Sequence, residues 1–217
     1  MSEESEAVHI DIYSDVICPW CYVGKRRVER ALAQVKDRLD LRIMWRPFQL
    51  NPTMPSEGMN RTAYLKAKFG SIDAFREMEE HVREAGDGEQ ISFAFEKITR
   101  TPNTFAAHRL IWYAAQQGCQ NEMVDRLFKG YFEEGADIGS IPTLVRLAAQ
   151  AGLTAEPFLR SDEGIAEVKA DEAAGHRLGI RGVPYFVLNQ AHGISGAQPA
   201  EVLAEAMERA CGQQEQG

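Results

Sequence analysis

The stretch Cys18-Pro19-Trp20-Cys21 decides how the rest of the chain is interpreted. The alternating residues of 8–13 before it are typical of a strand, and apolar residues recur at helical spacing after it. The cysteine pair therefore lies at a predicted strand-to-helix junction. Pro19 suits the first position of a helix, because its missing N–H would have no partner there. We predict that Cys18 is the N-cap residue of this helix.

This placement predicts different roles for the two thiols. At a helix N-terminus, backbone N–H groups and the positive end of the helix dipole stabilise a thiolate. Cys18 is therefore the expected exposed nucleophile, and Cys21, one turn inside the helix, is the expected resolving thiol that closes an internal disulfide. The alternative is half of a zinc site. A closed zinc site needs two further Cys or His ligands, whereas Cys119 and Cys211 stand alone and are most simply free thiols.

Composition limits the class of protein. The 217 residues suit one large domain, or a core domain with an insertion, and the net charge of -8 argues against a nucleic-acid surface. No apolar run is long enough to span a membrane, and residues 1–6 lack the features of a secretory signal. We expect a cytoplasmic protein, where disulfides are usually transient and catalytic, with no metal and no tightly bound cofactor.

The predicted elements begin as strand, helix, strand, continue as helices only, and end as a hairpin and a helix. They are strands at 8–14 and 41–48 around a helix at 19–38; helices at 61–69, 72–86, 101–118, 121–134, 143–151 and 163–178; strands at 183–188 and 192–195; and a helix from Pro199. A crossover helix implies a parallel strand pair. About a hundred helical residues are too many for a loop. We predict an α/β core, formed by 1–52 and 180–217, interrupted by an all-helical insertion at 53–179.

Pro184 opens a strand that is predicted to be central, where a proline is unfavourable. From statistics alone, a trans proline that begins the strand is the simpler interpretation, and a cis bond in a tight turn is the alternative. The order of features decides between them. A CxxC pair after the first strand, a helical insertion, and Gly182-Val183-Pro184 before a hairpin and helix resemble the thioredoxin fold, and more narrowly the DsbA family of disulfide oxidoreductases.

The resemblance implies that Pro184 is cis and that its loop lies against the CxxC helix. It implies that the backbone of Val183 pairs with a bound substrate chain. The activity it implies is thiol–disulfide exchange with protein thiols or disulfides, or with glutathione. The oligomeric state is left open as monomer or homodimer.

Four blocks, in the same order along the chain, resemble the FrnE-like branch of this family. They are Ser14–Gly24, Arg46–Pro52, Asn103–Arg109, and Gly182–Pro184 with Ser195–Pro199. On this resemblance, the residues expected to bind substrate are Pro19, Trp20, Asn51, Asn103, His108, Val183, Gly196, Ala197 and Gln198. Asn103 and His108 are included on the resemblance alone.

The same layout also resembles a rival class, the kappa-class glutathione transferases and the 2-hydroxychromene-2-carboxylate isomerases. Those enzymes carry a serine where Cys18 stands and activate glutathione. Glutathione would contact Asn51, the Val183 backbone, and the turn 196–198, where helix N–H groups suit a carboxylate. Gln198 stands where the transferases have an acidic residue that holds the glutathione amine. A third interpretation is a binding module without catalytic activity that uses the helical cleft.

Two aspartates are candidates for accepting a thiol proton. Asp15 precedes Cys18 by three residues, although a turn residue that bonds to local backbone is the simpler interpretation. Asp11 lies among apolar neighbours in the first strand. If it is buried, its carboxylate would accept the proton of Cys21.

Overall fold

The computed structural model describes residues 7–70 and 72–212, apart from the side chains of 72–74. In chain order the elements are β1 (Val8–Ser14), α1 (Pro19–Val35), β2 (Leu41–Pro47), β3 (Met59–Asn60), α2 (Arg61–Phe69), α3 (Ile72–Asp87), β4 (Arg100–Thr101), α4 (Phe105–Gln116), α5 (Gln120–Phe132), α6 (Ile141–Gln150), α7 (Glu156–Leu159), α8 (Ile165–Arg177), β5 (Tyr185–Leu188), β6 (His192–Ser195) and α9 (Ala200–Gly212). A short 3-10 helix at Phe95–Lys97 precedes β4.

The four long strands form one mixed sheet in the order β2-β1-β5-β6. β1 runs parallel to β2, while β5 runs antiparallel to both β1 and β6. The register places Ile12 of β1 between Trp45 and Phe186. The parallel pair, the crossover helix and the C-terminal hairpin confirm the predicted thioredoxin fold.

Helices cover both faces of this sheet. On one face, buried Ile12 belongs to the same apolar core as Val28 of α1 and Leu203 of α9. On the other face, the ring of Tyr13 packs under α8, where a Cβ added at Gly175 would lie 2.6 Å from it. Successive β1 residues point to opposite faces. The β1 side chains therefore alternate between the face that α1 and α9 cover and the face that α8 covers.

Tyr22 fixes α1 to the inserted helices. Its fully buried ring stacks on Phe128 of α5 at a centroid distance of 5.0 Å and meets the Phe93 ring edge-on at 6.0 Å. Its hydroxyl donates to Glu133 at 2.6 Å. The helix that carries the cysteine pair is thus held by the sheet on one side and by the insertion on the other.

The insertion is helical as predicted, although it differs locally from the prediction. α4 begins at Phe105 rather than at 101, because Arg100–Thr101 pair with Met59–Asn60 in a two-residue antiparallel ladder. The four-residue helix α7 was not predicted, since so short an element has no periodicity to detect. The domain division at residues 53 and 179 stays a prediction.

Among the helices in residues 7–70 and 72–212, none combines the length and the apolar character that crossing a membrane requires.

Candidate active site

Cys18 is the N-cap residue of α1, and Pro19 lies in the first turn of the helix, as predicted. The Cys18 residue is only 6% exposed and Cys21 is 0% exposed. Both are free thiols. Cys18 is therefore less exposed than predicted, although it is still the more accessible of the two. The predicted capping contact is also not found, because the Cys18 side chain makes no hydrogen bond to the α1 N–H groups.

The Cys18 thiol instead faces the backbone of Val183. Its sulfur lies 3.5 Å from the Val183 carbonyl oxygen, to which the thiol donates. The Val183–Pro184 peptide bond is cis, which confirms the implication of the resemblance. Pro184 packs against α1 at Gly24, where an added Cβ would lie 2.9 Å from the proline Cγ. The absence of a side chain at Gly24 allows this segment to lie beside the sulfur.

The Cys21 thiol lies in a different environment. Burial raises its pKa well above the usual value for a thiol, and the hydrogen bond with the neighbouring Cys18 thiol raises this pKa further. The Ser14 hydroxyl and the backbone of Asp15 oppose these effects. The net direction is upward, so Cys21 is a neutral thiol at neutral pH. A buried, protonated thiol in contact with the Cys18 thiol is suited to resolve a mixed disulfide rather than to start the exchange.

Asp15 is fully buried beside the cysteine pair. Its Oδ2 accepts a hydrogen bond from the Leu50 N–H at 2.7 Å. Its Oδ1 lies 3.3 Å from His108 Nε2, although the two atoms are not aligned as a hydrogen bond. The Asp15 carboxylate therefore bonds to backbone, as in the simpler interpretation, but to the segment after β2. Within its own turn it is the Asp15 carbonyl that accepts a hydrogen bond, from the Cys18 N–H at 3.0 Å.

His108 is 3% exposed and lies on α4, against Asp15. It also lines a cavity of about 100 Å³ together with Ser14 and Trp45. This cavity is separate from the cleft beside Trp20. The predicted role of His108 in binding substrate from the insertion stays a prediction, and its observed contact is with the buried carboxylate.

Asp11 is not the proton acceptor of Cys21, and this prediction is wrong. Its Oδ1 accepts from Arg46 Nε at 2.6 Å, and Arg46 also pairs with Asp171 at 3.1 Å. Asp11 shares the sheet face of Tyr13, under α8, because the two alternate with Ile12 along β1. The β1 side chain that acts on the Cys21 thiol is that of Ser14, which lies on the opposite face of the strand from Asp11.

The turn before α9 lies beside the cis-proline segment. The Gly196 N–H donates to the Pro184 carbonyl at 2.9 Å, and Ala197 follows it against α1. The Gln198 side chain donates to the Ser195 carbonyl at 2.8 Å. The structure thus brings three predicted binding residues together with Pro184, and the Gln198 amide already has a partner within the turn.

Both ends of the Asn103 side-chain amide form hydrogen bonds within the protein. Its Nδ2 donates to the Met54 carbonyl at 2.7 Å, and its Oδ1 accepts from the Phe105 N–H at 2.9 Å, where α4 begins. These contacts are those of a helix-start residue. A substrate contact of Asn103 stays a prediction.

Pro19 and Trp20 lie at one wall of a cleft between α1 and the helices α2 and α3, with a cavity volume of about 170 Å³. Its other lining residues are Ile17, Leu50, Arg61, Tyr64, Leu65, Lys68, Phe69, Phe75, Met78, Glu79, Val82, Phe95, Thr101, Tyr131 and Phe132. Sequence reasoning missed the contribution of α2. The available signal was the recurrence of Arg61, Tyr64, Leu65 and Lys68 at helical spacing on one face.

The described residues contain no group of three or more His, Cys, Asp or Glu side chains that is arranged to hold a metal ion. Cys119 and Cys211 are partly exposed free thiols.

A thioredoxin fold with two free thiols at the N-terminus of its first helix, beside a cis-proline segment, defines a thioredoxin-like protein with a dithiol site. The family model for the DsbA-like thioredoxin domain matches residues 9–208, and the chain belongs to this family. The probable DsbA oxidoreductase SCO1869 from Streptomyces coelicolor is 35% identical to this chain in sequence, and its crystal structure matches this one with a TM-score of 0.85. The match covers 94% of this chain and 90% of that one.

Two less similar structures share the fold. A 2-hydroxychromene-2-carboxylate isomerase has 17% identity and a TM-score of 0.71, over 96% of this chain and 98% of that one. The cytosolic disulfide reductase DsbM from Pseudomonas aeruginosa, solved with GSH, has 18% identity and a TM-score of 0.62 over the same shares of the two chains. Both layouts named in the sequence resemblance are therefore represented among the structural neighbours.

Proposed function

We propose that this chain is a thiol–disulfide oxidoreductase in which Cys18 exchanges with the substrate and Cys21 resolves the mixed disulfide. The observation that carries the proposal is the position of the Cys18 sulfur. It lies beside the Cys21 thiol and 3.5 Å from the carbonyl oxygen of Val183, the residue before the cis proline. A substrate chain that pairs with the Val183 backbone would bring its own sulfur to Cys18.

In the reducing direction, the Cys18 thiolate attacks one sulfur of a substrate disulfide. The substrate S–S bond breaks, one substrate sulfur leaves as a thiolate, and the other stays bonded to Cys18. Cys21 then loses its proton to solvent, and its sulfur attacks Cys18 and releases the second substrate thiolate. The substrate gains two electrons and the cysteine pair loses two. Because burial raises the pKa of Cys21, the first attack belongs to Cys18.

Several neighbouring groups are proposed to hold the substrate. Pro19 and Trp20 offer an apolar wall, and the turn 196–198 adjoins Pro184. Glutathione is a proposed partner, supported by the presence of GSH in the DsbM structure. Protein disulfides are the other proposed partners. A cytoplasmic location and a monomeric or homodimeric state stay predictions from the sequence.

The test is intact-mass analysis after equilibration in a series of glutathione redox buffers. The expected result is the loss of two hydrogens with a single midpoint, which Cys18→Ser and Cys21→Ser abolish and the matched control Cys119→Ser retains. A wild-type protein that stays reduced in every buffer would contradict the proposal.

The rival function, glutathione activation of the transferase or isomerase type, makes a different prediction in the same experiment. It expects glutathione to bind without a covalent bond, and to bind the Cys18→Ser variant as well, since that class carries a serine at this position. A wild-type protein that holds glutathione and never loses the two hydrogens would replace our proposal with this one.

A further inference from the structure

The cleft beside Pro19 and Trp20 combines an apolar interior with basic groups. Its walls are mostly aromatic and aliphatic, and Phe75, Phe95 and Phe132 are among them. Such a half-enclosed apolar cavity with a few polar groups is the usual form of a small-ligand site. The charged groups that line it decide which ligand fits.

Arg61 is a partly buried cation in this cleft, without a carboxylate partner among the described residues. Its guanidinium carbon lies 5.4 Å from the ring centroid of Phe75 and 5.9 Å from that of Phe95. Its Nη1 donates to the Tyr131 hydroxyl at 3.4 Å. No carboxylate of the described chain lies within 4.0 Å of its side-chain nitrogens. Among the described residues that line the cleft, Glu79 is the acidic one, and it is bonded to Arg83 at 2.8 Å.

Lys68, two turns further along α2, is also without a carboxylate partner in the described part of the chain. Its Nζ donates to the Tyr64 hydroxyl at 2.7 Å and to Asn51 Oδ1 at 3.3 Å, which are neutral oxygens. The Asn51 Nδ2 is buried and has no acceptor among the described residues. Among the described residues, the cleft thus presents two cations without a carboxylate partner, and Asn51 holds one of them, in a chain whose net charge is -8.

Resting on the proposed function, we propose that the cleft selects disulfides whose sulfur carries an apolar group, preferably aromatic, with a carboxylate on it. The apolar group would lie among the phenylalanine rings, and Arg61 and Lys68 would bind the carboxylate. Arginine suits this role because its planar guanidinium donates two parallel hydrogen bonds to a carboxylate. A carboxylate partner stabilises a cation that lies beside apolar side chains more than it stabilises an exposed cation, because water solvates the exposed charge better.

Two probe disulfides test this proposal. 5,5′-Dithiobis(2-nitrobenzoate) carries a carboxylate on each aromatic ring, whereas 4,4′-dithiodipyridine is aromatic and uncharged at neutral pH. In each reaction the Cys18 thiolate displaces one aryl thiolate and forms a mixed disulfide. Cys21 then loses its proton to solvent and displaces the second aryl thiolate. Each protein disulfide formed therefore corresponds to two aryl thiolates released, which are measured by absorbance.

The rate constants are measured in a Cys119→Ser/Cys211→Ser background, so that only the active-site pair reacts. The quantity compared is the ratio of the carboxylate-probe rate constant to the neutral-probe rate constant. We expect Arg61→Gln to lower this ratio about tenfold, as for the loss of a charge-assisted hydrogen bond. Lys68 is more exposed, so we expect Lys68→Gln to lower it by about twofold to threefold. The matched control Lys66→Gln, exposed on the same helix, should leave the ratio unchanged.

An unchanged ratio in both Arg61→Gln and Lys68→Gln overturns this inference and leaves the oxidoreductase proposal intact. An equal fall with Lys66→Gln also overturns it, because general attraction to a basic helix would then explain the preference. If neither probe reacts, or if Cys18→Ser reacts as fast as its parent, the proposed function itself fails.

Discussion

Gly24 and Pro184 are in direct contact, and this contact joins the cysteine helix to the segment that faces the Cys18 sulfur. A Cβ added at Gly24 would lie 2.9 Å from Pro184 Cγ and 3.6 Å from the Ala197 side chain. The first distance is too short for two carbon atoms, so any side chain at Gly24 must move the proline. The position of the Val183 carbonyl therefore depends on a missing side chain on the opposite element.

We predict that Gly24→Ala lowers the rate of disulfide exchange by at least about tenfold, because the displaced Val183 backbone no longer aligns a substrate with Cys18. Overpacking costs about 1–3 kcal/mol, and the better helix propensity of alanine offsets about 1 kcal/mol of this. The expected loss of stability is therefore small. Exchange kinetics and urea unfolding measure the two effects separately.

The control for this prediction is Gly88→Ala. An added Cβ at Gly88 would meet no atom closer than 3.6 Å, so both exchange rate and stability should be retained. Full activity in Gly24→Ala would show that the Gly24–Pro184 contact does not position the Val183 backbone.

The second prediction concerns the reduced protein at alkaline pH. Because burial raises the pKa of Cys21 in the folded state, the unfolded chain loses this proton first as pH rises. The stabilising contribution is fully present below the ordinary thiol pKa of about 8.5 and is lost progressively above it, by up to about 1.4 kcal/mol per pH unit. Urea unfolding with a reductant at several pH values between about 8 and 10 measures this loss.

Cys21→Ala should remove this part of the pH dependence. Burial also raises the pKa of the Cys119 thiol, and Cys119→Ser measures its smaller contribution. The pH window ends near 10, the ordinary pKa of tyrosine, because tyrosines ionise extensively in the unfolded chain above it. The same slope in Cys21→Ala and in the reduced parent would argue against a raised Cys21 pKa.

The third prediction concerns the buried carboxylate of Asp15. Asp15→Ala leaves the Leu50 N–H without its partner at 2.7 Å, and it leaves His108 facing an empty space. An unsatisfied buried donor costs about 1–3 kcal/mol, so we expect a loss of that size in the free energy of unfolding. Asp15→Asn retains an oxygen for the Leu50 N–H and should lose less.

Asp37→Ala, an exposed aspartate just after α1, is the matched control and should stay within about 0.5 kcal/mol of the parent. Urea unfolding of the three variants gives the comparison. Asp15→Ala with the stability of Asp37→Ala would mean that Asp15 does not hold the segment after β2 in place.

Much of the fold was predictable from the sequence, because the signals that specify it are local. The strand before Cys18, the proline after it and the apolar spacing of α1 lie within one short segment, and each element is recognised from its own periodicity. The order of those elements, with Pro184 ahead of the hairpin, resembles the thioredoxin fold, and this resemblance implied the cis bond. Local signals carry such information because helix and strand geometry repeat over a few residues.

The arrangement of the site was decided only by the tertiary structure. The period of β1 shows that Asp11 and Ile12 face opposite sides, but only packing determines that α1 covers the side away from Asp11. In the same way, the Cys18 thiol faces the Val183 carbonyl because a distant segment lies against Gly24.

The surroundings of the cleft and of the buried carboxylate were also decided by tertiary packing. Arg61 comes to lie beside aromatic rings, without a carboxylate partner in the described part of the chain, and Asp15 meets His108. Both arrangements arise from contacts between separate segments. Burial and partner choice depend on how such segments pack, and no pattern within either segment carries that information. The sequence by itself determined which elements form and where the reactive thiols lie, and the packing of those elements decided what surrounds the thiols.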